Sequence, residues 1–188
     1  MNNFSIDFIQ QRISSHRRRT VENNSLVRSA VLVPFVKTNN ELSLLFTKRT
    51  DTVERHKGQI SFPGGVEDKN DDSPVATALR ESFEEIGVPP ASVKIFGLLS
   101  DLQTPSRFLV TPVIGYVERL PALCISKDEV AEVLMIPFAE FFDASKRRSE
   151  IRMREGEKIE IFFYDVWKEP IWGATGNIIK ELIDLLNG

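Results

Sequence analysis

The chain has a single cysteine and only two histidines in its 188 residues, and each shortage removes a class of answer. A lone Cys124 cannot close an intramolecular disulfide, so the expected setting is reducing and the thiol is read as a small buried hydrophobe. His16 and His56 stand far apart in sequence, which argues against a histidine-based metal site. No apolar run approaches the length of a bilayer span, and the polar N-terminus has neither a hydrophobic segment nor a cleavage site, so the expected location is cytoplasmic. An excess of charge of one sign is missing too: the net charge is −3, which leaves no electrostatic footprint for a nucleic-acid polymer. What remains is ordinary globular material, 41% hydrophobic and 27% charged. It is enough for one domain over residues 1–188, with residues 1–20 as an N-terminal helical extension.

The informative stretch runs from Phe62-Pro-Gly-Gly65 to Gly87-Val88. Ser73 followed by Pro74 is a good helix opening and Gly87 a good stop, so the pattern predicts a helix over residues 74–86. At 100° per residue Val75, Leu79, Phe83 and Ile86 share one stripe, with Glu81, Glu84 and Glu85 on nearly the opposite side. Glu81 is then a near neighbour of both other carboxylates, and each like-charge pair costs roughly 0.2–0.5 kcal/mol. A structural helix gains nothing from that, although a solvated acidic face is the plain alternative. Arg80 can orient the cluster, and Gly64-Gly65 lets backbone carbonyls approach a ligand closely. Hard oxygen donors of this kind suit Mg²⁺ or Mn²⁺ accompanied by phosphates.

The rest of the chain reads as scaffold. Residues 4–19 place Phe4, Phe8, Ile9 and Ile13 at helical spacing before the basic run His16-Arg-Arg-Arg19, either a packing helix with cations at its end or a clamp for a phosphate-rich ligand. Residues 26–36 and 42–47 read as a hairpin, and 49–57 as a charged loop. Further strands are expected over 93–99, 107–117 and 133–136, a short helix over 137–142, a hairpin over 151–167 turning at Glu155-Gly156, and an amphipathic helix over 175–186. Trp167 and Trp172 are expected to be core or interface anchors. Strands interleaved with a few helices imply an α/β fold with a mixed sheet covered on both faces.

The run Arg80-Glu-Ser-Phe-Glu-Glu-Ile-Gly-Val88 after the Gly-Gly turn resembles the box of the Nudix hydrolases, which cleave diphosphates linked to a second moiety. The box departs from that pattern twice. The interval from Gly65 to Arg80 is one residue too long, leaving Asp71 or Asp72 where an upstream glutamate is expected, and Ser82 fills an apolar slot. Upstream, Leu45-Phe-Thr-Lys-Arg-Thr50 followed by Gly58-Gln-Ile-Ser-Phe-Pro-Gly-Gly65 resembles the extended motif of the coenzyme A pyrophosphatases, with Phe46, Thr50 and Glu54 as departures. Residues 104–113, 129–133 and 171–175 are similar to the same subfamily. The resemblance implies an α/β/α sandwich, metal-dependent hydrolysis and a small diphosphate substrate handled by a monomer or homodimer.

On that resemblance Glu81 and Glu85 bind the principal metal, Mg²⁺ or Mn²⁺. Glu84 joins a second ion or a bridging water, the Gly65 carbonyl completes the shell, and Arg80 orients the carboxylates. The general base is Glu129 or Glu132. Arg49, Arg55, His56, Lys57 and Gln59 are placed to meet phosphates, their plain alternative being a charged surface loop. The substrate implied is coenzyme A or a derivative, split into 3′,5′-ADP and 4′-phosphopantetheine or its acyl form. ADP-ribose, a nucleotide sugar or a dinucleotide is the alternative, and a non-catalytic nucleotide-sensing module a more distant one.

Overall fold

A computed structural model describes residues 4–38, 41–50, 58–154 and 157–188. The elements are α1 (Ile6–Ser14), β1 (Val27–Thr38), β2 (Glu41–Arg49), β3 (Ile60–Ser61), β4 (Gly64–Val66), α2 (Pro74–Ile86), β5 (Lys94–Leu98) and β6 (Leu102–Gln103). There follow β7 (Phe108–Val117), β8 (Val130–Pro137), β9 (Arg147–Arg154), β10 (Glu157–Tyr164), β11 (Ile171–Trp172) and α3 (Gly173–Asn187).

The main sheet runs β3-β2-β1-β7-β5, with β4 on β1, β6 on β7 and β8 on β2. It is mixed, because β1 and β7 pair in parallel whereas β1 and β2 form an antiparallel hairpin. Alternation along β1 explains its nearly unbroken apolar run, since both faces of the strand are covered. Ala30 and Leu32 pack with Ala78 of α2 and with Val113. Val33 and Phe35 join the opposite core with Ile9 and Ile13 of α1 and Ile178, Ile179, Leu182 and Ile183 of α3. The result is the α/β/α sandwich that the order of elements implies. A second sheet, β11-β10-β9, continues beside α3.

Several expectations need correction. The N-terminal helix stops at Ser14 rather than at 19, because the Ser14 and Ser15 hydroxyls bond back to the Gln11 carbonyl and compete with the next turn. The segment beyond it is tied instead to residues 100–101: Arg19 N donates to Ser100 Oγ and Val21 N to Asp101 Oδ2. Strand β8 begins at Val130 and β9 at Arg147. Polar residues on their solvent sides hide both starts from a hydrophobicity reading. The expected turn at Glu155-Gly156 lies outside the described residues. Cys124 is exposed rather than buried, because its backbone serves the helix end: its N–H donates to the Ile86 carbonyl. Trp167 and Trp172 keep more than a third of their surface exposed, and Trp172 is stacked on Phe163. Among the described residues no helix is long and apolar enough to cross a membrane.

Candidate active site

The site is built where β4 meets α2. Gly64–Val66 lies antiparallel to β1, and the chain then loops to Ser73, whose hydroxyl accepts from Ala76 N at 3.2 Å and caps α2. Gly87 ends the helix in the left-handed region at φ 74°, a conformation that favours glycine.

Ile86, Val75 and Leu79 of the expected apolar stripe do pack, but the buried face is rotated away from Phe83 and toward Glu85. Phe83 is 53% exposed, whereas Glu85 is only 4% exposed, and Thr77, Ala78, Ser82 and Ile86 share its buried side. Close approach to the glycine strand explains this: a Cβ at Gly65 would sit 2.4 Å from the Glu81 carboxyl. Small residues serve such a contact better than bulky ones. Ser82 tolerates its buried slot by donating to the Ala78 carbonyl at 2.6 Å.

Burial makes Glu85 unusual. Its Oε2 accepts from Gly64 N at 3.2 Å and its Oε1 lies 3.9 Å from Arg49 Nη1. Desolvation nevertheless pushes its pKa up to about 7, with the charges of Glu129 and Glu81 adding to the rise against Gly64 N–H and Arg49. Glu81 is also raised by burial, and the Arg80 hydrogen bond opposes this. Glu84 projects outward.

Arg80 binds the group together. Its Nη1 donates to Glu81 Oε1 at 2.8 Å and Glu84 Oε2 at 3.0 Å, and its Nη2 donates to the Val66 carbonyl at 2.9 Å. Asp71 anchors it from behind through Nε at 3.1 Å and Nη2 at 2.9 Å. That paired fork holds the Asp71 carboxyl well below the usual range and the guanidinium above its own. Sequence spacing placed a carboxylate at 71 or 72, and the structure selects Asp71 as the partner of Arg80.

The remaining site residues come from the far side of the sheet. Glu129 precedes β8 and stands close enough for its charge to raise both Glu81 and Glu85. Glu132 lies on β8 opposite Lys48 and lines a cavity of about 550 Å³ with Lys48, Arg49, Gly58, Ala131 and Glu169. The Gln59 carbonyl accepts from Arg49 N at 3.0 Å. Arg55, His56 and Lys57 lie outside the described residues. Lys48 and Glu169 were not anticipated as site residues. Lys48 sits inside the motif that flagged Arg49, but nothing in the sequence brings Glu169 there.

Residues 26–156 match the NUDIX domain family. The chain belongs to that family. It is 36% identical over 165 residues to an uncharacterized Nudix hydrolase, NudL, of Photorhabdus laumondii, across 88% of this chain and 87% of the relative. It is 38% identical over 155 residues to NudL of Cronobacter sakazakii, across 82% of this chain and 80% of the relative. The fold is similar to that of a MutT/nudix family protein of Enterococcus faecalis, with TM-score 0.58, 16% identity and coverage of 99% of this chain and 71% of that one. This Nudix protein is therefore a pyrophosphohydrolase acting on phosphorus-containing anhydrides. Nudix hydrolases generally use divalent metal ions. Among the described residues no three acidic, histidine or cysteine side chains already converge as a metal cluster. The donor set nevertheless fits: a buried carboxyl satisfied by one backbone N–H, and a second carboxyl against a glycine whose missing Cβ keeps the space open.

Proposed function

We propose that this Nudix hydrolase cleaves the diphosphate of coenzyme A or its acyl derivatives, releasing 3′,5′-ADP and 4′-phosphopantetheine or acyl-phosphopantetheine. The observation that carries the reading is the position of Arg49. It belongs to the run that resembles the coenzyme A pyrophosphatase motif, its guanidinium approaches Glu85 to 3.9 Å, and it forms a wall of the cavity. A cation there, between the carboxylate cluster and the cavity, meets a diphosphate.

In this reading Glu81, Glu85 and the Gly65 carbonyl hold Mg²⁺ or Mn²⁺, with Glu84 joining a second ion or bridging water. When bound, the ions supply an activated water and neutralise phosphate charge. Arg80 keeps Glu81 and Glu84 oriented, and Asp71 keeps Arg80 in place. Glu129 is the better placed of the two candidate bases, since it acts electrostatically on both metal carboxylates, while Glu132 faces the cavity. Glu129 takes a proton from the attacking water. The water oxygen bonds to one phosphorus, the bond from that phosphorus to the bridging oxygen breaks, and the bridging oxygen leaves on the other phosphate. Arg55, His56, Lys57 and Gln59, by their place in the same motif, meet the phosphates.

The test is product identification by mass spectrometry after incubation with coenzyme A and Mg²⁺. Release of 3′,5′-ADP with 4′-phosphopantetheine is expected. Preferential turnover of ADP-ribose, a nucleotide sugar or a dinucleotide in a parallel panel would replace coenzyme A as substrate.

A further inference from the structure

The cavity beside Arg49 has a feature that a pure phosphate pocket lacks. Two consecutive residues of β2, Lys48 and Arg49, both line it. Neighbouring side chains of a regular strand point to opposite faces. Here Lys48 pairs with Glu132 and Arg49 with Val130, so the extra residue of the irregularity, Ala131, belongs to β8, and the two cations border one cavity at the end of β2. They are not equivalent. Arg49 leans toward Glu85, whereas Lys48 Nζ is bound to Glu169 Oε1 at 2.8 Å. Glu169 lies beyond the end of the NUDIX match at residue 156, in the segment leading to β11. Its side chain keeps 46% of its surface exposed, but its second oxygen, Oε2, is shielded and has no hydrogen-bond partner. A shielded acceptor without a donor is costly, and a ligand that brings an N–H or O–H recovers that cost. Glu132 adds a second carboxylate to the same wall.

We propose that this cavity takes the uncharged arm of the substrate, a chain carrying amide N–H and hydroxyl donors, and that Glu169 is the residue that recognises it. The inference rests on the diphosphate reading above and assigns the orientation of the substrate. The diphosphate lies at Arg49 and the carboxylate helix, and the donor-bearing arm lies past Lys48. A third phosphate is disfavoured in this cavity, because Glu169 and Glu132 offset the charges of Lys48 and Arg49 and leave the lining no net positive charge. For coenzyme A the arm is pantetheine, and the 3′-phosphate end points the other way.

Two measurements test it. Pantetheine, which has the arm and no phosphate, is titrated into the full chain and followed by ligand-observed NMR. Binding to the unmodified protein is expected, with a loss of about tenfold or more in Glu169→Gln, whose one amide oxygen stays with Lys48 and whose NH2 faces the arm, and a smaller loss in Glu169→Asp, which keeps both carboxylate oxygens. Melting temperature checks that both variants are folded. In steady-state kinetics on the best diphosphate substrate, Glu169→Gln should raise KM about tenfold and leave kcat within about twofold, the signature of lost binding rather than lost chemistry. Failure of pantetheine to bind the unmodified protein, or equal binding by Glu169→Gln, overturns the proposal. A fall in kcat alone overturns it as well. Normal pantetheine behaviour with no hydrolysis of coenzyme A would instead overturn the substrate assignment and leave the cavity assignment standing.

Discussion

Glu85 shows how burial and function meet in one side chain. A carboxyl at 4% exposure is expensive to ionise, and the protein leaves it one backbone donor and a distant arginine. On the reading proposed above, a divalent cation would resolve that imbalance. Glu85→Gln, and likewise Glu81→Gln, should therefore lower kcat by on the order of 10²–10³, the scale for removing one electrostatic group from a preorganised site. The fold should survive, since glutamine keeps the shape of the side chain and an oxygen for the Gly64 N–H, and like-charge repulsion on the helix is relieved. Rate measurements under saturating Mg²⁺ alongside circular dichroism check this. Near-normal rates in both variants would remove the metal-site assignment.

At the scale of the element, α2 and the glycine strand work as a pair. Gly65→Ala should leave the melting temperature nearly unchanged and cost most of the activity. The added Cβ meets the mobile end of Glu81, at 2.4 Å, and not rigid backbone, so the carboxylate moves rather than the helix. Comparing kcat with the melting temperature checks the split, and destabilisation of equal depth would contradict it. Asp71 holds the same helix from its N-terminal loop. Asp71→Asn should reduce activity about 10–100-fold, the scale for a group that orients a ligand without being one, and less than Glu85→Gln. It should also change acid stability. Because the folded pKa of Asp71 lies below its unfolded value near 3.9, its contribution is present above that pH and is lost as pH falls through the folded value. Unfolding curves between about pH 5 and 2 should be shallower for the variant.

For the whole molecule, α1 and α3 cover the sheet face opposite α2. Ile13 is almost fully buried among them, so Ile13→Ala should cost about 2–4 kcal/mol in denaturant unfolding with little change in KM. We propose that residues 1–188 fold as one unit, which a single cooperative transition shared by fluorescence and circular dichroism would support and two separated transitions would refute. Local chemistry was enough to read the helix over 74–86, because its cap, first-turn proline and terminal glycine act within a few residues. The carboxylates at 81, 84 and 85 were legible for the same reason, whereas the short strands β3, β4, β6 and β11 and the order of strands in the sheet were not. Which carboxylate is buried was not, since Phe83 and Glu85 exchange their expected faces only because a glycine strand comes close to the helix. Nor could Glu169 be found, because a residue after the second sheet reaches Lys48 only once the chain has folded. Short-range sequence determined the elements and the reactive groups; tertiary packing decided which of them are desolvated and which face one another, because desolvation and proximity arise from segments distant along the chain.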